Sequence, residues 1–331
     1  MAQEIKPALT TVRVETPDYK YVLAGSFSPD GRRLAVVASP TPYVDYRSAV
    51  YEIELPGGAC VARFYDGYRR LTQVLHCGDA IIVAGRSITR GESLARLAGG
   101  RLEALDGDFP GASGGFPGPV VDLVRYADGF VALRQRRHVR WDPDYREVAE
   151  YWLLFYDRRG RVRRAVPVPA DASDRWVPRL AVEPGSGRLA VADGEGARIY
   201  GPSPDQVLAS SRSPVFAMKM CFLGPQRLAV ANGTGLKIWR VEDKQVFRSE
   251  SDPAFWCNVD DMVAVPSHRQ IALLLGSGLD GVVRYFDEET LAGPVEQGGL
   301  NGLRGTRLWG SPVGDAHALA CGESTLVAWD H

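Results

Sequence analysis

One short apolar pattern recurs seven times along this chain, and that recurrence limits the possible folds more than any other feature. GRRLAVVA, ending at Ala38, has relatives in DAIIVAG from Asp79, GFVALRQ from Gly129, GRLAVADG from Gly187, QRLAVANG from Gln226, RQIALLLG from Arg269 and HALACG from His317. Each is a short apolar run, usually preceded by a polar residue or a glycine. Anchored on Leu34, Ile81, Phe130, Leu189, Leu228, Ile271 and Ala318, the copies stand 47, 49, 59, 39, 43 and 47 residues apart. A period of about 47 residues marks an array of like units, each too small to bury its own apolar face and therefore stacked on its neighbours.

A second strand follows the first in register. Leu189 and Tyr200, Leu228 and Trp239, and Ala318 and Trp329 are each separated by 11 residues, and the strands ARIY, LKIW and LVAW alternate and close on an aromatic. The links DGEG and NGTG are rich in Gly, Asp and Asn, the residues a tight hairpin turn needs. LLFYD, ending at Asp157, and VVRYFD, ending at Asp287, extend the pattern. A further strand is expected after a turn in RRGRVRRAVPV and in EETLAGPV. The pattern predicts an all-β chain, a seven-bladed β-propeller with four-stranded antiparallel blades, as one domain over residues 1–331. The last repeat stops at Trp329-Asp330-His331, short of an outer strand, while TTVRVE from Thr10 to Glu15 is a strand without a repeat of its own. The N-terminal strand is therefore expected to close the last blade and remove an exposed edge.

These residues resemble the WD40 family. FSPDGRRLAVVA, from Phe27 to Ala38, is similar to the turn and second strand of such a repeat. Tyr156-Asp157, Phe286-Asp287 and Trp329-Asp330 resemble the dipeptide that names the family. No repeat carries the family's Gly-His dipeptide, blade two lacks an aromatic-Asp end, and Trp239 precedes Arg240, so the resemblance is to a divergent, bacterial type. It implies a platform for binding partners.

Composition narrows the function. A net charge of -1 excludes a global pull on nucleic acid or membrane, and 45% apolar residues supply a full core. No apolar run reaches the roughly 18 residues of a membrane span. The N-terminus lacks the apolar core of a signal peptide. The five cysteines, Cys60, Cys77, Cys221, Cys257 and Cys321, are odd in number with no CxxC pair, which fits a reduced, cytoplasmic protein.

Several motifs invite chemistry and lack its context. GSGLDG, Gly276 to Gly281, matches a dinucleotide fingerprint, but a strand pattern follows where a helix is required. GASGG places Ser113 in the spacing of a nucleophile elbow, between DFP and FPGP, which suit a loop. His76, His138, His268, His317 and His331 show no metal spacing and read as turn or surface residues. Asp260 and Asp261 could line a channel mouth, or be a solvated or turn-bonding pair. No cofactor and no metal site is expected.

The third repeat is the basic one. Ten arginines fall between Arg134 and Arg164, beside Trp141, Tyr145 and Trp152, and the spacing of 59 residues there implies an inserted loop. Arginine forks suit carboxylates and phosphates, and aromatic rings give a partner something to pack on. The expected partner-binding residues are Arg134, Arg136, Arg137, Arg140, Trp141, Tyr145 and Arg146, facing a protein partner with an acidic surface. The bland alternative is a solvated hairpin tip at RRGR with the strand arginines paired to neighbouring acids. The long turns SPTPYVDYRS, DFPGASGGFPGP and RWDPDYREVAE offer further contact surface. The expected function is a non-catalytic interaction scaffold within a larger cytoplasmic complex. A metal-dependent lactonase-like hydrolase and a nucleic-acid-associated subunit are the competing readings.

Overall fold

The computed structural model describes residues 10–13, 21–41, 47–55, 57–66, 69–87, 91–105, 118–141, 145–168, 177–193, 196–203, 205–211, 217–232, 235–242, 245–248, 259–276, 281–291, 304–313, 316–321 and 325–329. Its strands form seven antiparallel blades. Blade 1 holds β2 (Tyr21–Phe27), β3 (Arg33–Ser39), β4 (Ser48–Glu54) and β5 (Cys60–Asp66). Blade 2 holds β6 (Arg69–Cys77), β7 (Ala80–Ser87), β8 (Gly91–Ala98) and β9 (Arg101–Ala104). Blade 3 holds β10 (Val120–Tyr126), β11 (Gly129–Trp141), β12 (Tyr145–Tyr156) and β13 (Val162–Val168). Blade 4 holds β14 (Arg179–Val182), β15 (Leu189–Asp193), β16 (Gly196–Tyr200) and β17 (Val207–Ser210). Blade 5 holds β18 (Lys219–Gly224), β19 (Arg227–Asn232), β20 (Gly235–Glu242) and β21 (Gln245–Arg248). Blade 6 holds β22 (Val259–Val265), β23 (Gln270–Leu275), β24 (Gly281–Asp287) and β25 (Arg304–Gly305). Blade 7 holds β26 (Arg307–Gly310), β27 (His317–Cys321) and β28 (Thr325–Trp329), and takes β1 (Thr10–Arg13) as its outer strand. The one helical element among the described residues is a 3-10 turn at Pro266–His268. No helix among them is long and apolar enough to cross a membrane.

The recurring apolar runs are the second strands, and their composition follows from where they lie. Each blade is packed on both faces, so a second strand is buried on both faces too. Alternate residues of β3 serve different neighbours. Leu34, Val36 and Ala38 pack toward blade 7, while Ala35 and Val37 pack toward blade 2. A strand so placed reads as a continuous apolar run without alternation. Every blade interface acquires an apolar core this way, from blades 1 and 2 round to blades 7 and 1.

The predicted registers hold in blades 4 and 5, where Leu189 pairs with Tyr200 and Leu228 with Trp239. Blade 7 is one residue off: Ala318 pairs with Ala328, and Trp329 with His317. RRGRVRRAVPV supplies β13 as expected. In blade 6, residues 288–290 form a turn, the described fourth strand is β25, and EETLAGPV past Leu291 lies outside the described residues. The closure is as expected: Thr10 pairs with Ala328, and Arg13 with Thr325.

Candidate functional site

The antiparallel order sorts all connections onto two rims. First-to-second and third-to-fourth connections leave one rim, while second-to-third connections and those between blades leave the other. The three long turns singled out above, at 39–48, 105–119 and 141–145, are all of the second kind. They share one rim with the starts of the seven inner strands. The middles of these connections, including Ser113, lie outside the described residues.

Blade 3 departs from its neighbours on this rim. β11 has 13 residues and β12 has 12, where the corresponding strands of blades 4 and 5 have 5 to 8. β10 pairs with β11 only as far as Arg134, and β13 pairs with β12 only from Tyr151 onward. The β11–β12 ladder nonetheless continues from Phe130 opposite Tyr156 to Trp141 opposite Tyr145. Among the described residues no third strand lies beside it past Gln135 and Tyr151. The long spacing is therefore extended strand, a two-stranded arm leaving the rim, where an inserted loop was expected.

The structure divides the basic repeat. Arg158, Arg159, Arg161, Arg163 and Arg164 belong to the β12–β13 hairpin on the opposite rim, with Arg163 paired to Asp157 at 2.6 Å and Arg164 to Asp205. Asp157 Oδ1 accepts from the backbone N–H groups of Arg159 and Arg161, both at 2.9 Å. Burial pushes its carboxyl up, but those bonds and Arg163 hold it below the usual range. Arg134 lies at the base of the arm, 2% exposed, with Nε 3.3 Å from the Gly118 carbonyl oxygen that accepts its bond. It is packed inside the blade and offers no surface to a partner. Arg136, Arg137, Arg140 and Trp141 run out along β11, and Tyr145 and Arg146 start β12. The expected set is thus brought onto one element, with Arg134 as its root.

The inner strands carry a polar girdle at the same rim, which sequence reasoning missed. Ser48 Oγ accepts from Leu71 N at 2.9 Å, joining blades 1 and 2. Gln73 Nε2 donates to Val121 O at 3.5 Å, and Leu180 N donates to Asp122 Oδ2 at 3.1 Å. Arg179 Nε donates to Met218 O at 3.0 Å, and Lys219 pairs with Asp261. Leu308 N donates to Asp261 Oδ2 and Arg307 Nε to Leu23 O, both at 3.2 Å. Each bond joins one blade to the next, and together they run right round the ring. Asp260 and Asp261 lie inside β22, Asp260 half-buried at a bulge, while Asp261 is buried and bonded to Lys219 and Leu308, so Asp261 is neither solvated nor turn-bonding. Burial, then Asp261, pushes the Asp260 carboxyl up against the pull of Arg307 and Lys219.

The opposite rim is held by Arg125, which crosses two blades. Its guanidinium donates to His76 O at 2.9 and 3.1 Å and to Phe27 O at 2.9 Å. His76 Nε2 stands 3.1 Å from Glu52 Oε1, and Arg33 Nη1 stands 2.9 Å from the same oxygen. His76 and His317 are each 1% exposed, which corrects the expectation of turn or surface histidines. The dinucleotide-like GSGLDG joins the antiparallel strands β23 and β24, so the hairpin reading holds. No group of three metal-ligating side chains occurs among the described residues.

These features define the class of protein: a seven-bladed β-propeller with an elongated strand pair rising from one blade. No protein-family model matches the chain, and a search of the curated proteins gives no match.

Proposed function

We propose that the chain is a non-catalytic protein-interaction platform, a divergent WD40-like propeller of bacterial type that works within a larger cytoplasmic complex. Its docking element is the arm of blade 3. The observation that carries this reading is the β11–β12 ladder, which continues past the stretches paired with β10 and β13 on the rim shared by the connections at 39–48 and 105–119. A ribbon beside which no third strand lies among the described residues adds little to its own blade, so its length calls for a use outside the ring. Binding elements on a rigid scaffold are positioned in this way.

The competing readings draw less support. A hydrolase needs carboxylates free to meet a metal and a substrate, whereas Asp122 and Asp261 here accept bonds that hold blades together. A nucleic-acid surface needs a continuous basic stripe, whereas the arginines of blade 3 are divided between two rims. Metal analysis of the purified chain is expected to give far less than one ion per chain. A stoichiometric ion in the channel would bring the hydrolase reading forward.

The test is a shortened arm. Replacing residues 138–148 with Asn-Gly leaves Arg137 and Ala149 flanking a two-residue hairpin turn. Tagged full-length and shortened chains are expressed in the native host, and co-purifying proteins are quantified. Proteins recovered with the full chain and lost with the shortened one are expected. Equal recovery with both would contradict the docking role of the arm.

A further inference from the structure

We infer that the side of the arm continuous with the blade 2 interface is a recognition strip for a carboxylate-rich segment of a protein partner. This rests on the reading of the arm as the docking element.

Register assigns each position of the arm to one of its two sides. Successive strand residues alternate between faces, and directly opposed residues share one. At the base of the ladder, Phe130, Ala132, Leu154 and Tyr156 pack toward blade 2, and Val131, Leu133, Leu153 and Phe155 pack toward blade 4. Carried outward along the ladder, the blade 2 side holds the opposed positions Arg136 and Glu150, His138 and Val148, and Arg140 and Arg146. The blade 4 side holds Arg137 and Ala149, Val139 and Glu147, and Trp141 and Tyr145. Ala149 is 4% exposed within the blade 3 and blade 4 core, so that side is apolar and covered at its base.

This sorting is invisible in composition. Residues 136–150 contain four arginines and four acids, Asp142, Asp144, Glu147 and Glu150, and are neutral as a segment. By register, the blade 2 side carries three arginine positions and one glutamate position, a formal sum of two positive charges. The blade 4 side carries one arginine position and one glutamate position, a formal sum of zero. Arg140 and Arg146 are moreover direct register partners. Like charges placed directly opposite are unfavourable in a sheet. An anion between them removes that cost, and a guanidinium pair takes a carboxylate with forked, charge-assisted bonds.

Spacing favours an extended acidic peptide. Positions 136 and 140 lie about 14 Å apart at a rise of about 3.4 Å per residue. An extended peptide with glutamates on alternate residues presents carboxylates on one face about 7 Å apart, so the first and third meet the two ends of the strip. A nucleic-acid backbone fits less well. The sequence between Arg140 and Arg146 carries two acids, Asp142 and Asp144, which disfavour a polyphosphate.

The test uses the full chain and a fluorescent peptide of alternating Glu and Thr, read by anisotropy. The triple variant R136Q/R140Q/R146Q is compared with R137Q, which removes one charge from the other side. Wild type is expected to bind, with affinity falling as salt is added. The triple variant is expected to bind at least about tenfold more weakly, and R137Q within about twofold of wild type. Should the triple variant not fold, R140Q alone carries the comparison, with a drop of about threefold or more expected. Equal losses in the two variants, or none in the strip variant, would overturn the inference. So would an oligothymidine of equal charge binding more tightly than the peptide. If shortening the arm abolishes partner recovery while the acidic peptide fails to bind wild type, the platform stands and the strip falls.

Discussion

Single side chains hold this ring at points that no local pattern marks. Glu52 is 4% exposed and is approached by Arg33 from its own blade and His76 from the next. Burial pushes the His76 imidazole below its usual range, Glu52 pulls it back up, and Arg33 and Arg125 push it down further. The direction sets a pH dependence. Well above pH about 6.5 the histidine is neutral in both the folded and unfolded chain. Below that value the unfolded chain takes up a proton that the folded chain refuses. Stability is lost as pH falls from the unfolded value toward the depressed folded one. The melting temperature is therefore expected to be lower at pH 5.5 than at pH 7.5, with the difference reduced in H76Q. An equal difference in both proteins would remove His76 as its source. Glu52→Ala removes the buried oxygen that faces both Arg33 and His76 and is expected to cost about 2 kcal/mol in urea unfolding. A cost below about 1 kcal/mol would contradict its place at the centre of this contact. Neither histidine was legible in the sequence, because VLHC and HALAC give no sign of the neighbouring blade that buries them. Asp287, of the aromatic-Asp dipeptide Phe286-Asp287, was visible as a motif but not as a cap: its Oδ1 accepts from Thr290 N at 2.7 Å and Glu289 N at 3.0 Å and closes the turn after β24.

Strands divide into those the sequence announces and those it conceals. The second strands were plain because burial on both faces leaves them uniformly apolar. β11 was plain only to Leu133. Beyond Gln135, RRHVRW alternates without a hydrophobic face, no third strand among the described residues lies beside it, and the extra length reads as a loop. The arm therefore surfaced in the sequence only as a spacing of 59 residues and a run of arginines. Its relation to stability follows from exposure. Arg134→Ala removes a buried guanidinium and the packing of its stem, and is expected to cost about 2 kcal/mol. Arg136→Gln, further out, is expected to stay within about 1 kcal/mol. Chemical unfolding of the two variants checks the order, and a larger loss for Arg136→Gln would contradict the placement of the arm outside the ring.

The whole molecule depends on closure. Blade stacking makes each interface an apolar core, and the girdle adds one polar crossing at each. None of these crossings is local: Leu180 N reaches Asp122 across 58 residues and Leu308 N reaches Asp261 across 47. Repeat counting could locate the blades, but it could not find bonds that span one period. The seam, by contrast, was readable from TTVRVE and from the missing outer strand after Trp329. β1 covers the outer edge of β28 and ties the first residues of the chain to the last blade. Without it, β28 presents an open edge and blade 7 loses its tie to the N-terminus. The rigid rim that carries the arm rests on that closure. Thermal unfolding of a chain lacking residues 1–17 tests it most directly. The truncated chain is predicted to melt at least about 5 °C lower, as expected for a loss of several kcal/mol, and to aggregate through the exposed edge. A truncated chain that stays monomeric and melts at the temperature of the full protein would contradict it.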